Sequence, residues 1–510
     1  MRAKAGVGRL GPGLPPLTYL LMSEAYRSTG SYPWRKRRNR TWPVYFAVAI
    51  VCLSISFLLM SLDTLTAIGV VAGIGVFITS FVSTQAGLYI IVFSMLLSPE
   101  IGVGSLGGGS EALARRGVTI RAEDLLLIVL GFAWVVRAAL YKQSLSRDSP
   151  LNRPILYYVV MCLFATIAGL MAGSVSGTTP LFYVLKYVEY FVLYFIVLNN
   201  IHSTNQIKRF TWALLLTGLI VSVVAIAQIP SGRRVTAPFE GEHGEPNTLG
   251  GYLIFAGAIA AGLSLNMGKS WMRVALRLLI VTMFIPYVYT LSRGSYLALP
   301  FVYLTLLVYQ KKSRAAMIIL AVAVVGIVSV AVPGTVRDRI SGTFKDSDYQ
   351  ALYGTASLGG VAVDASVSAR IDAWGGAMER IMESPIWGLG VTGYGFVDAQ
   401  YPRILVEVGL LGVASFVFLM SAVFREANKV IRAPPDDFVR GLAVGVVAGT
   451  VGLLVHALGA NTFTIVRIME PFWLSVGMVA AASNLGIGDA GEALESGSGN
   501  ADAGEAPESG

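Results

Sequence analysis

The chain has 510 residues, 55% of them hydrophobic and only 14% charged, where a soluble chain carries about 25% charged residues, so a soluble multidomain enzyme is excluded and most of the chain must lie in lipid as one membrane domain. The net charge of +9 does not point to nucleic acid, because no soluble basic domain carries it and the cytoplasmic loops of a membrane protein give the same balance. Cys52 and Cys162 both sit inside apolar runs, which leaves neither a disulfide framework nor a thiolate metal site.

In chain order, residues 1–42 form a Gly-, Pro- and Arg-rich cytoplasmic segment. Its apolar stretch from Leu14 to Met22 is too short to span and lacks a small-residue cleavage site, so it does not read as a signal peptide. Met22 offers an alternative initiator. The basic run from Trp34 to Arg40 abuts the first span and keeps the N-terminus cytoplasmic by the positive-inside rule. Residues 43–485 read as an all-α, polytopic membrane domain of roughly fourteen transmembrane helices. The apolar runs place them near 43–62, 64–83, 86–98, 122–140, 155–173, 181–199, 210–229, 247–266, 275–291, 295–310, 315–333, 404–424, 441–461 and 466–485. With that parity most of the 39 Lys and Arg fall in cytoplasmic segments, Lys142, Lys208, Arg209, Lys311, Lys312 and Arg314 among them, and both termini are cytoplasmic. The long loop 334–403 is then extracytoplasmic. From residue 486 to the end the composition turns to Gly, Ala, Ser and acidic residues without Lys or Arg, the signature of a disordered cytoplasmic tail.

Several charges stand where lipid makes them costly. The stretch TLSRGSYLALP puts Arg293 at the outer tip of a hairpin between two spans, where it must meet an anion or water; snorkelling to lipid phosphate is the competing reading. The external loop before it supplies Arg233 and Arg234, then a helix start at Asn247 followed by Thr-Leu-Gly-Gly. In the long loop Arg370, Trp374, Ala377 and Ile381 recur at helical spacing and predict a short amphipathic helix on the membrane surface, a lid over whatever lies beneath. After the Gly-rich PIWGLGVTGYGF come Asp398, Tyr401 and Arg403 at the mouth of the next span, with Glu407 just inside it. Lys186 and Glu189 share one helix face within a span, as a neutralising pair or a cavity lining. Arg467 and Glu470 stand at the outer boundary of the last span, and His456 reads as a packing residue.

The SRG hairpin, the spaced residues of R...W..A...I...P..G.G and the stretch L.E.GLLG resemble the O-antigen ligase and polymerase family. RAEDLLLIVL, LKYVEYF and EPNTLGGYL are similar to its O-antigen and exopolysaccharide polymerase branch, so the resemblance spans roughly residues 120–480. It implies an enzyme of the cytoplasmic (inner) membrane that takes a glycan from undecaprenyl pyrophosphate on the outer face and attaches it to an acceptor hydroxyl, with no metal and no other cofactor. It implies that Arg293, with Arg233 or Arg234, holds the pyrophosphate, whose developing charge needs fixed cations in a low-dielectric site. Arg370, Arg403, Glu407, Asn247, Lys186 and Arg467 are the further candidate substrate contacts read from the charges and polar groups along the chain. Where ligases carry a His about nine residues before the Glu of L.E.GLLG, this chain has Asp398. That departure favours the polymerase branch and makes Asp398 the candidate base, with Glu245, Asp372 and Glu407 as alternatives. The partners implied are the lipid-linked oligosaccharide, the membrane and a chain-length regulator or flippase; no nucleic acid is. A ligase remains an alternative, as does a lipid-linked oligosaccharide flippase or transporter, although the internal symmetry common in transporters is not visible.

Overall fold

The computed structural model describes residues 64–98, 100–102, 119–238, 244–268, 270–310, 314–315, 318–319, 357–358, 361–362, 374–394 and 399–501. The expected span 43–62 and most of 315–333 lie outside them. Residues 1–72 and 73–510 are two units. Of the first, the described residues 64–72 are helical; all other described residues belong to the second.

The chain is an all-α polytopic membrane protein. Its helices are α1 (Thr64–Val82), α2 (Thr84–Leu97), α3 (Ala122–Tyr141), α4 (Asn152–Ala172), α5 (Thr179–Asn200), α6 (Thr204–Gln228), α7 (Pro246–Asn266), α8 (Ser270–Tyr289) and α9 (Arg293–Tyr309). The short helix α10 covers residues 374–381, and α11 (Gln400–Arg432), α12 (Asp437–His456) and α13 (Val466–Ala501) complete the series. Among the described residues, eight helices are long and apolar enough to cross a membrane. Each of the expected spans that falls on described residues coincides with a helix. The helices exceed the apolar runs at their polar ends, which hydropathy does not register. Thus α6 starts at Thr204 because Ser203 and Gln206 form a capping box ahead of Lys208 and Arg209, and α11 runs on through Lys429 and Arg432. Helix α13 continues to Ala501, past the expected end of the last span at residue 485. A helix already nucleated extends at little further cost. Two small antiparallel pairs, Glu100–Gly102 with Thr119–Arg121 and Ser357–Leu358 with Val361–Ala362, were not legible in the sequence.

Helices α7 and α12 form the centre. A Cβ on Gly262 would collide with the backbone of Gly441 and Gly445, so the two helices meet main chain to main chain, the close small-residue packing that drives helix association in lipid. Helix α11 is broken at Gly409, whose φ of 73° and ψ of −169° are not helical. The groups freed by the break are taken up by the Gly-rich loop before it. Leu389 N donates to Val406 O at 2.8 Å, Gly390 N to Glu407 O at 2.9 Å and Leu410 N to Pro385 O at 3.0 Å. Irregular backbone at this depth is tolerated because protein satisfies it. The same loop is tied to α4, where Ser174 Oγ donates to Leu389 O at 2.7 Å.

Contacts between chain-distant turns sort the helix ends onto two faces. One face gathers the starts of α3, α5, α7, α9, α11 and α13, as in Ser292 to Asn247, Gln400 N to Ala457 O and Arg467 to Pro238 O. The opposite face gathers the other ends, as in Lys208 to Asp436 at 2.5 Å and Tyr309 to Asn428 at 2.6 Å.

Candidate functional site

The first of these faces holds the charges that the sequence singles out. At the α8–α9 turn Leu291 takes a positive φ of 51°, and Ser292 caps α9 by accepting from Ser295 N. Arg293 is thereby the first residue of the helix. The turn is cross-tied by Tyr287 OH to Ser295 O and Tyr296 OH to Val288 O. The loop between α6 and α7 folds onto it. Arg234 donates from Nε to Thr290 O at 3.0 Å and from Nη2 to Leu291 O at 3.2 Å, and Val235 N donates to Tyr289 O at 3.2 Å. Asn247 Oδ1 accepts from Ser292 Oγ at 2.8 Å, which pins the start of α7 beside the start of α9. Arg234, Asn247 and Arg293 are therefore assembled by the fold, with exposed Arg233 adjoining them. The starts of α7 and α9 are held side by side there, and the positive ends of helix dipoles favour an anion.

A second group lies where the Gly-rich loop meets α11. Arg403 Nε and Glu407 Oε1 are 3.2 Å apart with both side chains largely buried. Glu407 Oε1 also accepts from Thr392 N at 2.9 Å, and the Arg403 guanidinium stands 5.8 Å from the Tyr183 ring centre. Helix α10 covers this region with Ala377 and Ile381 buried, while Trp374, Met378 and Met382 remain exposed. Of the expected stripe, Ala377 and Ile381 are buried against protein and Trp374 is not. Arg370, Asp372 and Asp398 lie outside the described residues.

The third group is interior. Lys186 contacts Asp124 and lies 3.6 Å from Glu189, so the pair expected within α5 is a triad shared with α3. Arg467, expected as a substrate contact at the membrane boundary, is fully buried. It donates to Pro238 O at 3.0 Å and Ser98 O at 2.9 Å and lies 3.7 Å from Glu123. Its neighbour Glu470 is equally buried. In this state Arg467 fastens the loop that carries Arg234 rather than facing solvent. Sequence reasoning missed Glu123 and Asp124, although two carboxylates at the head of the apolar run LLLIVL were the available signal. His456 is buried, its Nδ1 2.8 Å from Thr462 Oγ1, as a packing residue would be.

Arg234, Asn247 and Arg293 thus meet beside the starts of two helices at one face of the helical membrane domain. Residues 278–417 match the family described as Wzy_C, O-antigen ligase. This matched segment, from within α8 to the middle of α11, is similar to the O-antigen ligase family and includes the Arg293 turn and the Arg403–Glu407 pair. No curated protein matches the chain.

Proposed function

We propose that the protein is a polymerase that joins oligosaccharide repeat units carried on undecaprenyl pyrophosphate, at the outer face of the cytoplasmic membrane. The observation that carries this reading is the bonding of Arg234 to the carbonyls of Thr290 and Leu291, immediately before Arg293. It supports one anion site built from two chain segments, on the positive ends of α7 and α9. In the proposed reaction the acceptor hydroxyl oxygen attacks the anomeric carbon, the bond from that carbon to the pyrophosphate oxygen breaks, and the hydroxyl proton passes to a carboxylate. Arg293 and Arg234 stabilise the charge that grows on the departing pyrophosphate. Glu407 is already committed to Arg403 and to Thr392 N, which favours Asp398 over it as the base, with Glu245 and Asp372 as the remaining alternatives. The group at Asp398 is what favours a polymerase over a ligase, and a lid-like α10 suits an enzyme better than a flippase.

Deleting the gene and sizing the surface glycan tests the reading. Attached single repeats support a polymerase, loss of attachment with long free chains indicates a ligase, and repeats retained in the cytoplasm indicate a flippase.

A further inference from the structure

The face opposite the candidate site contains a polar cavity of about 650 Å³ between the α1–α2 turn, the end of α3, the α3–α4 connection and the end of α5. Arg137 and Arg147 line it together with the amides of Gln85, Gln143, Asn199 and Asn200. Arg137 spends both hydrogens of Nη1 on the last carbonyls of α1, Phe81 O at 2.9 Å and Val82 O at 2.7 Å. Its Nε and Nη2 hydrogens are left over, because a guanidinium offers five donors. Arg147 makes one long bond, to Ile201 O at 3.4 Å. Neither arginine is ion-paired among the described residues, although Asp148 also borders the cavity. Two half-buried guanidinium groups with spare donors and an excess of positive charge suit an anion with several oxygens.

The surroundings decide what kind of anion. Beside the cavity α1 and α3 expose Ile78, Val82, Leu140 and Tyr141, each more than half accessible. Val82 is itself part of the cavity lining, and the others stand on the same helix ends. A soluble phosphate would leave that apolar margin unused, whereas an amphiphile would place its headgroup on the arginines and its chains along the helices.

We propose that this cavity is a binding site for the phosphodiester headgroup of an anionic phospholipid, held by Arg137 and Arg147. His202 supplies a readout. Partial burial, then the charge of Arg147, lower its imidazole pKa from the ordinary value. A bound phosphodiester adds the opposite charge and raises it.

The test uses the full chain in nanodiscs of phosphatidylcholine with a graded content of phosphatidylglycerol, with native mass spectrometry counting retained lipid. The wild type should retain phosphatidylglycerol, Arg147→Glu should weaken retention at least tenfold, and Arg147→Lys should weaken it less. Arg147 is the position of choice because its single long backbone bond contributes little to folding. The His202 pKa, followed by NMR, should rise with phosphatidylglycerol in the wild type and stay constant in Arg147→Glu. Equal retention by wild type and Arg147→Glu would overturn the proposal. So would a wild-type His202 response to inorganic phosphate, in phosphatidylcholine alone, as large as that to the lipid, since the ligand would then be a soluble phosphate.

Discussion

A snorkelling arginine and an arginine that grips pyrophosphate differ in what lysine can replace. Lysine reaches lipid phosphate as well, but it lacks the planar fork that holds two oxygens at once. Arg293→Lys is therefore expected to cut in vitro elongation of a purified lipid-linked repeat about a hundredfold, as when one oxyanion donor is removed. The thermal midpoint should stay where it was. Elongation at the wild-type rate would return Arg293 to the snorkelling role. Arg403 and Glu407 present the opposite case, a buried pair with mutual hydrogen bonding. Removing one partner strands the other charge and is expected to cost about 3–5 kcal/mol, whereas replacing both with apolar residues costs much less. Denaturant unfolding of Arg403→Met, Glu407→Leu and the double variant measures the difference. A double variant as unstable as the worse single one would show that the pair is not the reason for the loss.

At the scale of elements, Gly409 is the position where a single methyl group has the most to disturb. Its φ and ψ lie in a region that L side chains essentially avoid, at a cost of about 1–3 kcal/mol, and a Cβ there would strike Ile386 O. Gly409→Ala should therefore loosen the Gly-rich loop from α11 and speed amide exchange at Leu389, Gly390 and Leu410, with exchange in α7 and α12 unchanged. Uniform exchange rates across the variant and wild type would mean that the loop is not held by the break. The sequence showed where the helices lie, because apolar length is a local property. It showed the Arg293 turn and the surface helix for the same reason. It could not show that GLLG holds a break, since a glycine in an apolar run is compatible with an unbroken helix. Nor could it show that Lys186 reaches Asp124, or that Arg467 turns inward to carbonyls far away in the chain. Those partners depend on which helices become neighbours.

For the whole molecule, the two faces assign sides once one loop is located. A reporter fused within residues 340–400 is expected outside the cytoplasm, and one fused at residues 311–314 or after Asn484 inside it. An interior location for the 340–400 fusion would remove the outer-face mechanism along with the topology. The same orientation bears on assembly at the ribosome. With the 340–400 fusion outside, residues 385–393, synthesised before α11, would cross the bilayer before the helix behind them begins to enter. In that order of synthesis the carbonyl and amide groups around Gly409 would find the loop's partners already made as they arrive. Reversing that order, by a permuted chain that begins at α11 and ends with the loop, would send an unsatisfied break into the membrane first.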